Sequence, residues 1–149
     1  MWWSMPLTGT YARNLDDKHR LAIPKRLCDD FCEIDLKSLF IAPGVSRSLT
    51  LYSPAGFERL SRKLARKPAN PAQRRTYTRL FYSAAERVEL DAQGRVRIPE
   101  RLVEFAGLER DVVLLGVLDH VEIWDAAIWN KFAVEQNLAF DEIADQAWE

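Results

Sequence analysis

Thirteen residues are written twice in this chain, 75 positions apart. Leu15-Asp16-Asp17-Lys18-His19-Arg20-Leu21-Ala22-Ile23-Pro24-Lys25-Arg26-Leu27 returns as Leu90-Asp91-Ala92-Gln93-Gly94-Arg95-Val96-Arg97-Ile98-Pro99-Glu100-Arg101-Leu102. Leu-Asp, Arg, Ile-Pro, Arg and Leu coincide, and an aliphatic residue follows the first Arg in both. Self-similarity of this kind means one supersecondary unit used twice, which constrains architecture more tightly than composition can. At 149 residues the chain has room for one domain or for two small, intimately packed halves.

Each copy opens on an extended run, Thr8–Leu15 or Glu86–Leu90, followed by a short polar connection and a second short strand, Arg20–Ile23 or Arg95–Ile98. Strand, turn and strand predict a β-hairpin in each copy. Gly94 suits a turn position needing positive φ; the first copy carries His19 there, at some cost. Proline pushes the preceding residue to extended geometry and suits a first helical turn. Ile23 and Ile98 should therefore end strands, with Pro24 and Pro99 opening short helices over about 24–33 and 99–106, the second stopped by Gly107. Further strands are expected near 38–43, 48–53, 111–117 and 120–125, with the apolar run Val112–Val117 central in the sheet. Ser53-Pro54 should cap a helix over 54–66, Asp125 should cap another, and Asn70-Pro71 should open one over about 71–83. Tyr77, Leu80 and Phe81, at i, i+3 and i+4, read as a core stripe. The acidic tail after Leu138 reads as mobile or as a docking segment.

Net charge is −1, but its distribution is uneven: residues 1–75 hold 14 Lys/Arg against 7 Asp/Glu, and residues 76–149 hold 7 against 15. A +7 half and a −8 half suggest that one repeat meets a polyanion while the other does not. Cys28 and Cys32, four apart on one expected helical face, read as reduced, partly buried thiols in a cytoplasmic protein; no zinc set surrounds them. The sequence has neither a membrane span nor a signal peptide pattern. An enzyme finds no support: His19 and His120 are the only histidines, and no phosphate loop, His-Glu-x-x-His or CxxC is present. No catalytic residue, metal, cofactor or small-molecule substrate is expected.

The repeated turn sets Asp16 beside Arg20 and Asp91 beside Arg95. Such a pair can simply fix the turn, or it can orient a guanidinium whose planar fork meets a phosphate or a base edge. Arg13, Lys18, His19, Arg20, Lys25 and Arg26 crowd the first copy, and basic residues at the start of its helix form a candidate phosphate seat. Arg95 and Arg97 lie in the second copy, diluted by Glu89 and Glu100, so the first repeat is expected to dominate contact with DNA. Asp16, Asp91, Gly94, Pro24 and Pro99 read as structural members of the motif.

The duplicated Leu-Asp-x-x-x-Arg-aliphatic-x-Ile-Pro-x-Arg-Leu resembles the swapped-hairpin DNA-binding module of the AbrB and SpoVT type. Two such modules, with Arg79–Glu86, Ala106–Val117, Val121–Asp125 and Leu51–Pro54 around them, resemble the MraZ family of bacterial transcriptional regulators over roughly residues 7–135. The resemblance implies an α+β fold in which two tandem AbrB-like swapped-hairpin modules interlock into one compact pseudo-symmetric unit with flanking helices. It divides the chain into a first module (7–53), connecting helices (54–83), a second module (84–127) and a C-terminal helix and tail (128–149). It implies a cytoplasmic, nucleoid-associated protein whose partners are double-stranded DNA and further copies of itself. That protein would form a ring-shaped homo-oligomer on short direct repeats and repress its own cell-division and cell-wall operon. A ring scaffold without specific DNA binding is the alternative. His19 departs from the glycine usual in the family's first turn. Trp2-Trp3 is also unusual, reading as oligomer contact, apolar surface or an over-extended start with Met5 as rival initiator.

Overall fold

A computed structural model describes residues 5–66 and 70–149, so Trp2 and Trp3 lie outside the described residues. The first repeat supplies β1 (Thr10–Asn14), β2 (Arg20–Ala22), α1 (Lys25–Asp30), β3 (Ser38–Pro43), β4 (Leu49–Tyr52) and α2 (Pro54–Arg66). Helix α3 (Pro71–Ala84) leads into β5 (Glu86–Glu89), β6 (Arg95–Arg97), α4 (Glu100–Phe105), β7 (Asp111–Val117) and β8 (His120–Asp125). Helices α5 (Ala126–Asn137) and α6 (Phe140–Ala147) close the chain.

Six strands form one antiparallel sheet in the order β1-β7-β8-β4-β3-β5, and β2 pairs with β6 in a separate ribbon. Exchanging each strand for its counterpart in the other repeat reverses the order and leaves it otherwise unchanged. The repeat is therefore a pseudo-twofold, with its axis between β4 and β8. The expected hairpins do not form within a copy. β1 pairs with β7 and β5 with β3, so each first strand crosses to the other repeat. Between β1 and β2 only the turn is closed, by the Arg20 carbonyl accepting from the Asp16 amide at 3.2 Å. The interlocked halves make one α+β unit.

The pairing buries the apolar alternation. Leu21 and Val96, opposite each other in the ribbon, are fully buried with Leu39, Ile41, Leu49, Leu51, Leu114 and Ile123 from the sheet. Burying side chains of this size stabilises by about 1.5–3 kcal/mol each. The opposite sheet face carries Val113, Leu115 and Trp124 under α5, whose Trp129 packs edge-on to Trp124 at 5.2 Å. On the same face Phe40 stacks on Phe57 of α2 at 4.4 Å.

Pro24 and Pro99 act as N-caps with extended ψ of 132° and 139°, so α1 and α4 begin one residue later than expected. Each proline carbonyl accepts the first helical bonds, from Leu27 and Cys28 or from Leu102 and Val103. Helix α1 stops at Asp30, short of the expected 33, and Cys32 takes φ 57°, so Cys28 and Cys32 do not share a helical face. The caps at Ser53, Asn70 and Asp125 form, each side chain accepting an amide of its helix's first turn. Strand β7 is interior rather than central. Of the α3 stripe only Phe81 is buried; Tyr77 and Leu80 are 50% and 67% exposed, because α3 meets α2 through Phe81 and Tyr82. The tail after Leu138 holds α6.

Candidate nucleic-acid interface

The two repeated turns have the same construction. Asp16 Oδ1 accepts from the amides of Lys18 (2.9 Å) and Arg20 (2.8 Å), and its Oδ2 accepts from Arg20 Nε at 2.5 Å. Asp91 Oδ1 accepts from the amides of Gln93 and Arg95, and its Oδ2 from Arg95 Nε, all at 2.9 Å. Each carboxylate thus ties off two backbone donors and the inner edge of one guanidinium. The Nη groups of that guanidinium take no part in these bonds. The Arg20 amide, with its side chain and the Lys18 amide behind it, holds the Asp16 carboxyl down at about 2 despite partial desolvation. The same bonds from Arg95 and Gln93 lower Asp91. Both turns need a left-handed residue: His19 at φ 59° and Gly94 at φ 74°. Neither turn could close with extended backbone there.

The ribbon then brings the two turns together. Its register sets Arg20 opposite Arg97 and Ala22 opposite Arg95, with Leu21 opposite Val96 on the other face. Opposite residues in an antiparallel pair share a face, so Arg20, Arg95 and Arg97 stand on one surface whose underside is the core. Ile23 donates to the Gly94 carbonyl and Ile98 to the His19 carbonyl, so each strand end is bonded into the other repeat's turn. Arg95 Nη1 also reaches Asp16 Oδ2 at 4.0 Å, across the repeats. This cross-repeat contact is invisible in either copy alone. Its signal was the alternation Arg-Leu-Ala against Arg-Val-Arg once the two copies are paired.

The other sequence-derived residues take different places. Lys18 is exposed at the tip of the first turn, and His19 borders a cleft with Arg97. That cleft also carries Glu86, Glu89 and Glu100, so its charge is mixed. Arg13 faces the ribbon's side of the sheet, with its guanidinium 6.0 Å from the Tyr11 ring centre. Lys25 and Arg26 are exposed in the first turn of α1; Lys25 lies beside the second repeat's turn, near Asp91 and Gln93, with Nζ 3.9 Å from Asp29. Helix α1 has six residues, with Pro24 at its N-cap and Lys25 and Arg26 as its first two residues.

Comparison with known proteins bears directly on this arrangement. The family model described as "MraZ protein, putative antitoxin-like" matches twice in tandem, over residues 7–80 and 81–149. The chain belongs to the MraZ family. Among its relatives, the transcriptional regulator MraZ of Micrococcus luteus is 38% identical over 134 residues, 90% of this chain and 91% of the relative. Those of Lactobacillus gasseri and Alkaliphilus metalliredigens are 39% and 34% identical and span 92% and 93% of this chain, and 93% and 94% of their own lengths. The two MraZ matches fall on the two interlocked repeats, each contributing one Asp-x-x-x-Arg turn to the shared ribbon. Among the described residues no helix is long and apolar enough to cross a membrane.

Proposed function

We propose that this chain is a transcriptional regulator that binds double-stranded DNA through the outer face of the β2–β6 ribbon. The observation that carries the reading is the three-arginine face, Arg20, Arg95 and Arg97, standing on a buried Leu21/Val96 underside and oriented by Asp16 and Asp91. A two-stranded ribbon has the width to enter a major groove, and arginine forks suit guanine edges as well as phosphates. Lys18 and His19 at the tip of the first turn, Lys25 beside the second turn, and the neighbouring Arg13 and Arg26 would add phosphate contacts that set orientation. Because the ribbon takes one strand from each repeat, both copies serve the reading surface, and the basic first repeat adds the wider attraction. In this reading the protein assembles into a ring in the cytoplasm, sits on short direct repeats at the nucleoid, and represses its own cell-division and cell-wall operon. Repeated subunits on repeated sites add through effective concentration.

The test is fluorescence anisotropy on the native upstream region against a scrambled duplex, over a range of salt. Specific, salt-sensitive binding is expected. Arg97→Ala, exposed and outside the turn pairs, should weaken it by about 1–3 kcal/mol if it reads a base, or lower the salt slope by about one if it meets a phosphate. Equal affinity for both duplexes, or binding indifferent to salt, would overturn the reading.

A further inference from the structure

The ribbon and α2 cover opposite faces of the sheet, and α2 carries a concentration of positive charge of its own. Ile41 and Leu51 lie in the core beneath the ribbon, whereas their neighbours Phe40 and Tyr52 meet Phe57 of α2 at 4.4 and 5.9 Å. Helix α2 holds Arg59, Arg62, Lys63 and Arg66, each with another of the four three or four residues away, against one acid, Glu58. Glu58 pairs with Arg62, while Arg59, Lys63 and Arg66 make no ion pair among the described residues. Like charges at these spacings destabilise a helix, so the fold by itself gives the cluster no compensation.

All four cations line one cleft of about 310 Å³, and Asp119 of the β7–β8 turn lines it with them. That carboxylate is held in place from behind. Its Oδ1 lies 2.7 Å from His120 Nδ1, and the His120 ring stacks on Tyr52 at 5.3 Å. Asp119 makes no ion pair with the four cations, so it leaves their charge unneutralised. The cleft therefore presents two kinds of group. Guanidinium forks and an ammonium suit phosphate oxygens, and a cleft lined by one sign of charge concentrates counter-ions. A fixed carboxylate suits hydroxyl or N–H donors. The volume is at the lower end of that of small-molecule sites.

We propose that this cleft binds a nucleoside polyphosphate, with its phosphates on Arg59, Arg62, Lys63 and Arg66 and its sugar hydroxyls or base N–H groups on Asp119. A bare polyphosphate would meet the same cations but would be repelled by Asp119, having no donor to offer it. A nucleoside supplies those donors. Because the cleft and the arginine ribbon belong to opposite sheet faces, one subunit can hold this ligand and DNA together, and the site stands independently of the DNA-binding reading.

The experiment is isothermal titration calorimetry on the full chain, without divalent cations, using GTP, ATP and inorganic tripolyphosphate as probes. Wild type should bind at least one nucleotide at least about tenfold more tightly than tripolyphosphate. Lys63→Gln/Arg66→Gln should weaken the nucleotide by at least about tenfold, with circular dichroism reporting intact helix, since glutamine is a good helix former. Asp119→Ala should remove the preference for nucleotide over tripolyphosphate while leaving phosphate binding in place. Arg97→Ala should bind nucleotide as wild type does, and Lys63→Gln/Arg66→Gln should keep wild-type affinity for duplex DNA. No binding of any probe by wild type would make the cations a solvated surface and overturn the proposal. So would tripolyphosphate binding as tightly as either nucleotide. Loss of nucleotide in Arg97→Ala would place the phosphates on the ribbon, and loss of duplex affinity in Lys63→Gln/Arg66→Gln would assign the cleft to DNA; either result overturns it as well.

Discussion

Substituting glycine for His19 should raise stability even though it deletes a side chain from the candidate interface. His19 sits at φ 59°, where an L-residue is about 1–2 kcal/mol less favourable than in right-handed backbone. Histidine tolerates the region better than most residues, which places it at the low end of that range. Glycine removes the strain but gives the unfolded chain more freedom, worth about 0.5–1 kcal/mol against folding. The balance is a gain of at most about 0.5 kcal/mol, or up to about 1–2 °C in Tm for a chain of this size. The second repeat supplies the reverse test. A Cβ built at Gly94 meets nothing within 4 Å, so Gly94→His should lose a similar amount through φ alone, and β-branched Gly94→Val should lose more. Urea and thermal unfolding followed by circular dichroism measure all three. DNA affinity of His19→Gly should move the other way, falling by about threefold as one contact is lost, the equivalent of about 0.6 kcal/mol. If His19→Gly instead lowers stability by more than about 1 kcal/mol, the imidazole rather than the backbone conformation holds the turn, and the strain reasoning is wrong.

Three further outcomes follow from the same geometry. Because the folded Asp16 carboxyl sits at about 2 against 3.8 unfolded, its contribution is complete above about pH 4 and is lost as pH falls through 2; Asp16→Asn should flatten that part of an acid-unfolding curve, and an unchanged curve would count against the turn bonds. Gly116→Ala places a Cβ 2.4 Å from the Thr8 amide nitrogen and 2.6 Å from its carbonyl oxygen, both backbone atoms, so the Leu7–Thr8 segment ahead of β1 must shift, with a loss of about 1–3 kcal/mol in urea unfolding. Leu21→Ala empties a fully buried position under the arginine face and should cost about 2–5 kcal/mol, read by chemical denaturation.

Much of this architecture is legible in residue order, because the signals are local. Ile-Pro ends a strand whatever surrounds it, Asn70 and Asp125 cap from within their own first turn, and Asp16 and Arg20 sit one tight turn apart. The repeat shows one supersecondary unit used twice before any coordinate is known; its pseudo-twofold arrangement is a property of the strand order. What stayed hidden depends on contacts between distant residues. Alternation shows that Leu21 and Val96 are buried, yet not that they face each other, since either strand could as well have paired with its own neighbour. The α3 stripe was equally ambiguous: Tyr77, Leu80 and Phe81 share a helical side, but only the reach of the sheet decides which of them is covered. Sequence alone therefore determined the two Asp-x-x-x-Arg turns and their left-handed positions, because a turn closes through atoms within five residues. Only the tertiary structure decided that Arg20, Arg95 and Arg97 share one surface, because strand exchange between the halves, rather than any property of either copy, sets the register that brings them together.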